Sequence, residues 1–258
     1  VIHLSFSEMK LFKTCPAKHA FKKADTPIPE HRQYRSRAGE VLMATAEAFY
    51  KEGWWKDIDT AQFKAREYAI AKLAEVECDE ESRLVVLDTA PRIVQAVKEH
   101  KLLGVRNFIE TELVMEILPG VMLHGRPDFV IEGEDGAYTV LDGKAGGTFG
   151  RHADTDQLRI YTVLVEFSGR VRVARAGFWW FRHERVEWKR MAKALPKVQA
   201  LVARTVEGLA RGETAARPGN HCVLCDYKGP CGIGTHWLAA KGTGAVALDG
   251  SGFQELEW

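Results

Sequence analysis

Three of the five cysteines fall in one short stretch, Cys222, Cys225 and Cys231, with the spacing C-x2-C-x5-C among glycine and proline residues. That is ligand spacing for zinc or for an iron–sulfur cluster, and either site calls for a fourth ligand. Cys15, at a predicted helix end just before Pro16, is the best-placed candidate; His221, His236 and Cys78 are the alternatives. No second C-x-x-C is present to close a local zinc knuckle. If Cys15 is the fourth ligand, the two ends of the chain must meet, and everything between them has to fold inside that closure. An odd number of cysteines, in a chain of 258 residues whose opening VIHLSFSEMK lacks the apolar stretch of a secretory signal, argues against a disulfide framework.

The remaining composition sets wide bounds. With 46% hydrophobic and 28% charged residues the chain can bury a full core, most simply as one elaborated domain. No apolar run approaches the roughly 18 residues needed to span a bilayer. The net charge of +1 hides an uneven distribution. Residues 1–40 carry 8 Lys/Arg against 4 Asp/Glu, residues 169–211 carry 11 against 3, and residues 51–81 carry 5 against 9. Two basic segments around an acidic one form a phosphate-binding face if the fold brings them together, and solvated helix faces if it does not.

The pattern along the chain is helical first and β-rich later. Ser5-Phe6-Ser7-Glu8 is a capping box, so a helix is predicted over 6–14, ended by Pro16. Residues 25–37 read as a loop, and 38–50 as a helix that stops at Gly53. Two amphipathic segments, 60–77 and 82–103, make a helical block with no evident chemistry, the second broken or kinked near Pro91. Strands follow at 108–117, 121–131 and 137–142, the last two joined by the turn Glu132-Gly133-Glu134-Asp135-Gly136. A helix over 154–167, strands at 171–181 and 186–188, and a basic helix over 192–211 complete the order. The last stretch, 242–258, is glycine-rich and reads as a flexible tail, with Phe253-Gln-Glu-Leu-Glu-Trp258 suited to docking a protein partner. The class is α/β (α+β), with an N-terminal helical insertion.

The chemistry concentrates at the hairpin. Asp142 and Lys144 are two residues apart on a predicted strand and leave the same face. A hairpin centred near Asp135 sets Asp128, in Gly125-Arg126-Pro127-Asp128, directly across from Asp142. Two carboxylates that close repel one another, and a divalent cation removes the cost; their oxygens suit Mg²⁺ or Mn²⁺. Gln157 and Tyr161 share a face of the next helix and point together toward the hairpin end. Trp179, Trp180 and Phe181 offer stacking to a base or, as alternate strand residues, fill the core.

These residues occur in a telling order: Ser7, Cys15-Pro16-Ala17-Lys18, Gly125-Arg126-Pro127-Asp128, Asp142-Gly143-Lys144, Gln157 and Tyr161, then Cys222, Cys225 and Cys231. From Leu4 to Cys231 the set resembles the PD-(D/E)XK nucleases of the RecB type, in the iron–sulfur subgroup. CRISPR-associated Cas-four exonucleases, including phage-borne versions, and the AddB nuclease domain show a similar pattern. The resemblance implies a restriction-endonuclease-like core, a mixed β-sheet flanked by helices, with a helical insertion at about 54–105 and a C-terminal iron–sulfur loop. It implies one nuclease domain over 1–241. Cys15, Cys222, Cys225 and Cys231 would hold a [4Fe–4S] cluster, leaving Cys78 as an ordinary thiol. Asp128, Asp142 and the Gly143 carbonyl would bind Mg²⁺ or Mn²⁺, Lys144 would be the catalytic lysine, and Gln157 and Tyr161 would assist. The implied activity is metal-dependent exonuclease hydrolysis of DNA, as single strands or ends, in the cytoplasm of a bacterial, archaeal or phage-infected cell.

One departure bears on that activity. Where the family's first-motif helix carries a histidine ligand four residues after a glycine, this chain has Met43 after Gly39, with Glu47 at the glutamate position. A thioether is a poor ligand for a hard cation. The alternative expectation is therefore a catalytically weakened or inactive subunit that binds DNA or an assembly partner.

Overall fold

The computed structural model describes residues 1–27, 37–146, 149, 153–223 and 225–241. The tail expected over 242–258, and most of the loop expected over 25–37, lie outside these residues. The described chain groups into two compact units, 1–6 with 37–204 and 7–27 with 205–241. No helix among the described residues is long and apolar enough to cross a membrane.

The first unit is built on two sheets. One has three strands, β1 (Ile2–Ser5), β3 (Leu113–Leu118) and β4 (Val121–Gly125), in the order β1-β4-β3. The other has five, β2 (Arg106–Ile109), β5 (Phe129–Glu132), β6 (Tyr138–Lys144), β7 (Val173–Trp180) and β8 (Arg185–Lys189), in the order β2-β5-β6-β7-β8. Only β6 and β7 in the larger sheet run parallel, and α6 (Thr155–Gly169) crosses between them, as a parallel connection requires. The α/β class with a mixed sheet is as expected.

Two strand expectations need correction, for one reason. Residues 108–117 are not one strand: β2 and β3 belong to different sheets and are separated at Glu110, whose φ of 49° is left-handed. Likewise 121–131 divides into β4 and β5, in different sheets, at Arg126-Pro127. Pro127 has no N–H to give a ladder, so the sheet cannot continue through it.

The helical block packs on the larger sheet. α3 (Arg37–Lys51), α4 (Ile58–Ala74) and α5 (Glu80–Glu99) share one apolar core with Phe129, Ile131, Leu141, Trp179 and Phe181. Ala61, Ala65 and Ala69 recur every four residues on α4 and are fully buried, so α4 presents a narrow methyl stripe to its neighbours. α5 faces it with Val86, Ala90, Ile93 and Val97, all fully buried. Pro91 does not break α5, which runs through it.

In the second unit α1 (Phe6–Thr14, with Phe6 itself in the first unit) ends as expected before Cys15, but Pro16 does not stop helical structure. It occupies the first position of α2 (Pro16–Lys23), where a missing N–H costs nothing. α7 (Ala194–Ala210) leads from the first unit into the second, and α8 (Gly232–Ala240) closes the described chain.

Ala65→Leu should overpack the shared core, costing about 1–3 kcal/mol. A thermal melt followed by circular dichroism should then shift down by several degrees, on the order of 2–4 °C per kcal/mol. An unchanged melt would show that α4 is not part of that core.

Candidate functional site

The hairpin register is the one read from the sequence. Phe129 pairs with Leu141 and Glu132 with Tyr138, so Asp128, just before the ladder, stands level with Asp142. The Gly143 amide donates to the Asp128 Oδ2 at 2.7 Å and joins the two across the strand end. The Asp128 carbonyl accepts from the Glu110 amide at 3.1 Å. Asp142 is 2% exposed. Lys144, on the same face, places Nζ 2.5 Å from Asp142 Oδ2 and 3.3 Å from Gln157 Oε1, and 5.5 Å above the Phe178 ring.

α6 brings the next two candidates. Its N-terminus is capped by Asp154, which accepts from the Asp156 amide at 3.0 Å. Gln157 and Tyr161, one turn apart, are joined by a bond from Gln157 Nε2 to the tyrosine hydroxyl at 3.2 Å. A continuous polar chain therefore runs Asp142–Lys144–Gln157–Tyr161. Burial holds the Tyr161 phenol well above its usual range, against the opposing pull of Gln157, so the hydroxyl stays neutral and acts as a hydrogen-bond partner.

The electrostatics identify what is missing from this group. Burial first, and then the charge of Asp142, push the Asp128 carboxyl up to about 7, against the Gly143 amide and Lys144, which favour the charged form. A buried Asp142 beside a half-buried Asp128, with one ammonium, leaves negative charge uncompensated. A hard divalent cation fits that deficit and that oxygen donor set. Among the described residues no group of three or more His, Cys, Asp or Glu side chains is placed to hold a metal ion. The fit thus rests on two carboxylates and backbone oxygen.

α3 passes the same strand end. Gly39 lies against Ala145, where a Cβ would stand 3.3 Å from that of Ala145. Met43 lies against Gly143: a Cβ there would fall 2.6 Å from Met43 Cε and 2.7 Å from Phe181 Cζ. The thioether is therefore a packing group that occupies the space over the middle residue of Asp142-Gly143-Lys144. Glu47, one turn on, is paired with Lys51 at 2.6 Å and is not gathered with Asp128 and Asp142.

Two participants were not singled out from the sequence. Gly125 has no room for a side chain, since a Cβ would lie 2.3 Å from Leu164 Cδ1, so β4 sits directly on α6. Glu110 ties its amide to Asp128 and its carboxylate and carbonyl to Arg126. The glycine and arginine of the Gly125-Arg126-Pro127-Asp128 run were the available signal; Glu110 had none. Trp179 and Trp180, 0% and 1% exposed, are core residues.

The second unit holds the cysteines. Cys15, Cys222, Cys225 and Cys231 line one cavity, together with Lys18 and His221, but among the described residues no three cysteine or histidine side chains are placed to hold a metal ion. Cys15 sits in extended conformation between α1 and α2, Cys222 ends a 3-10 turn, and Cys231 caps α8. Gly234 stands beside the thiols, where a Cβ would make ordinary contact with Cys222 Sγ at 3.7 Å and Cys231 Sγ at 3.8 Å. All five cysteines are free thiols, and burial raises that of Cys225. Of the alternative fourth ligands, His221 is on the cavity wall, with Nε2 buried and without a hydrogen-bond partner among the described residues. Cys78 lies in the first unit, against its apolar core.

The sequence model of the PD-(D/E)XK nuclease superfamily matches residues 3–232. No curated protein matches the chain. Among solved structures, one titled "Crystal structure of SSO0001" is similar, at 17% identity and a TM-score of 0.37, over 83% of this chain and 92% of that one.

Because the Asp128 carboxyl is raised in the folded state, its contribution to stability is present below about pH 4 and is lost as pH rises through about 7. In EDTA, Asp128→Asn should therefore melt several degrees above wild type at pH 8, with the gap closing toward pH 4. Mn²⁺ should raise the wild-type melting temperature and leave Asp128→Asn nearly unmoved. A variant no more stable than wild type at pH 8 would contradict the charge-deficit argument.

Proposed function

The chain belongs to the PD-(D/E)XK nuclease superfamily, and from that premise we propose that it is a Mg²⁺- or Mn²⁺-dependent deoxyribonuclease, an exonuclease acting on single strands or DNA ends. The observation that carries the reading is the pairing of Asp128 with Asp142 at the hairpin end, with Lys144 at 2.5 Å from Asp142. The reaction is hydrolysis of a phosphodiester: a water oxygen forms the new P–O bond, the ester P–O bond breaks, and the leaving oxygen takes up a proton.

Asp128, Asp142 and the Gly143 carbonyl would hold the cation. Bound there, it supplies Lewis acidity at the phosphate and a more acidic water. Lys144 places its ammonium where negative charge builds up on the phosphate oxygens. Gln157, at 3.3 Å from that ammonium, orients it, and Tyr161 holds Gln157 in turn. The basic stretches 1–40 and 169–211 supply phosphate contacts whose strength falls with salt.

The same proposal takes the four cavity thiols, Cys15, Cys222, Cys225 and Cys231, as ligands of a [4Fe–4S] cluster, the feature of the RecB-like iron–sulfur subgroup. Their common cavity supports that set. It also takes 1–241 as one nuclease domain with the helical insertion about 54–105, and Phe253–Trp258 as a partner-docking tip. A second reading, a weakened or inactive DNA-binding subunit, is favoured by one observation: Met43 packs on Gly143 where a ligand would be expected.

The test is incubation of purified protein with labelled single- and double-stranded DNA and Mn²⁺, beside Asp142→Ala and Lys144→Ala. Cleavage by wild type should fall at least about 100-fold in either variant. Equal activity in all three would eliminate the proposed site, and none in wild type on any substrate would favour the second reading. Anaerobically purified protein should absorb broadly near ~400 nm, and Cys222→Ser should lose the colour. A colourless, zinc-containing protein would overturn the cluster assignment.

A further inference from the structure

The edge of the sheet that carries Lys144 continues beyond it as an ordered row. In the β6–β7 ladder Lys144 stands opposite Trp180, and in the β7–β8 ladder Trp180 stands opposite Arg185. Ladder partners present their side chains to one face, so Lys144, Trp180 and Arg185 lie in line on the face that carries Asp142. At the usual strand spacing the row spans roughly 10 Å. Phe149 closes over its far end. Its ring lies 5.2 Å from that of Trp180, and the Arg185 guanidinium carbon lies 4.8 Å from its centre.

Two observations separate this group from ordinary core packing. Trp180 is 1% exposed and forms a fixed floor, whereas Phe149 above it is 36% exposed, with the His183 ring edge-on at 5.7 Å. Arg185 is exposed and has no carboxylate partner among the described residues, so its charge is available to an anion. A part-exposed aromatic ring with a guanidinium laid over it and no carboxylate to hold that charge, about two strand spacings from Lys144, matches the two halves of a nucleotide: a planar base and a phosphate.

Resting on the deoxyribonuclease reading above, we propose that Phe149 and Arg185 form a platform for the nucleotide beside the scissile phosphate. Phe149 stacks on its base and Arg185 contacts its phosphate. The platform selects an unpaired strand, because a base within a duplex already has both faces covered by its neighbours. Phe149 and Arg185 are thus specificity residues, set apart from Asp128, Asp142 and Lys144.

Binding and cleavage are read separately, on the whole chain. Fluorescence anisotropy in EDTA compares a labelled single-stranded deoxyoligonucleotide with the same strand carrying abasic sugars. Wild type should bind the base-bearing strand roughly tenfold more tightly. Phe149→Ala should lose that preference and Phe149→Trp should keep it. Arg185→Ala should weaken binding of both strands and flatten the salt dependence. Full retention of the wild-type preference in Phe149→Ala, with an unchanged melting curve, overturns the platform. Cleavage that Asp142→Ala abolishes is the separate readout: its absence from wild type removes the nuclease reading, while the base preference still decides for or against the platform.

Discussion

The hydrogen bond from the Gly143 amide to the Asp128 carboxylate, 2.7 Å long, sets the terms for the rest of the first unit. It extends the β5–β6 pairing one step past its last ladder pair and commits Asp128 to the side of Asp142. The result is electrostatically unfavourable by itself, two carboxylates in a buried strand end with a single ammonium between them and solvent. The neighbouring elements do not correct it. α6 contributes neutral groups, Gln157 and Tyr161, and α3 contributes the apolar Met43. Arg126, two residues before Asp128, turns its guanidinium to Glu110. Two neighbouring carboxylates balanced by one ammonium form a hard oxygen donor set that suits a divalent cation on charge grounds.

Holding that arrangement requires a sheet-to-sheet corner, and the run Gly125-Arg126-Pro127-Asp128 is the corner. Gly125 ends a strand of the three-stranded sheet and lets it press on Leu164 of α6. Pro127 stops the ladder, and Asp128 opens the strand that pairs with β6. Glu110, left-handed and bonded to Arg126 and to the Asp128 carbonyl, makes the matching break between β2 and β3. Both chain segments change sheets at the same place, and the Asp128 carboxylate sits where they do so.

The legible part of the sequence was the part governed by local rules. The five-residue turn fixed the hairpin centre at Asp135, and with it the opposition of Asp128 and Asp142, because strand pairing has a period of two and no slack. Helices α3 to α6 followed from their apolar period. What local pattern could not show was the change of sheet at Glu110 and at Arg126-Pro127, since alternation is the same whichever sheet a strand joins. β1 and α8 are short and sit among polar or glycine residues, and α2 was hidden by reading Pro16 as a stop rather than a start. Pro91 misled in the opposite sense. A proline lacks one hydrogen bond, but fully buried Ala90, Ile93 and Val94 around it hold the helix together by packing.

Met43, which stands where the family pattern has a histidine, meets Gly143 in one packed contact. A side chain at 143 would bring its Cβ to 2.6 Å from Met43 Cε, which can swing aside, and to 2.7 Å from Cζ of the fully buried Phe181, which has less room to move. Methionine is flexible and apolar, and it fills that space by packing, with Phe181 on the other side. The position of Asp128 and Asp142 does not depend on this contact. It is set by the β5–β6 register and by the Gly143 amide, which any residue but proline at 143 would supply. A thioether at position 43 therefore leaves the geometry of the carboxylates and Lys144 unchanged.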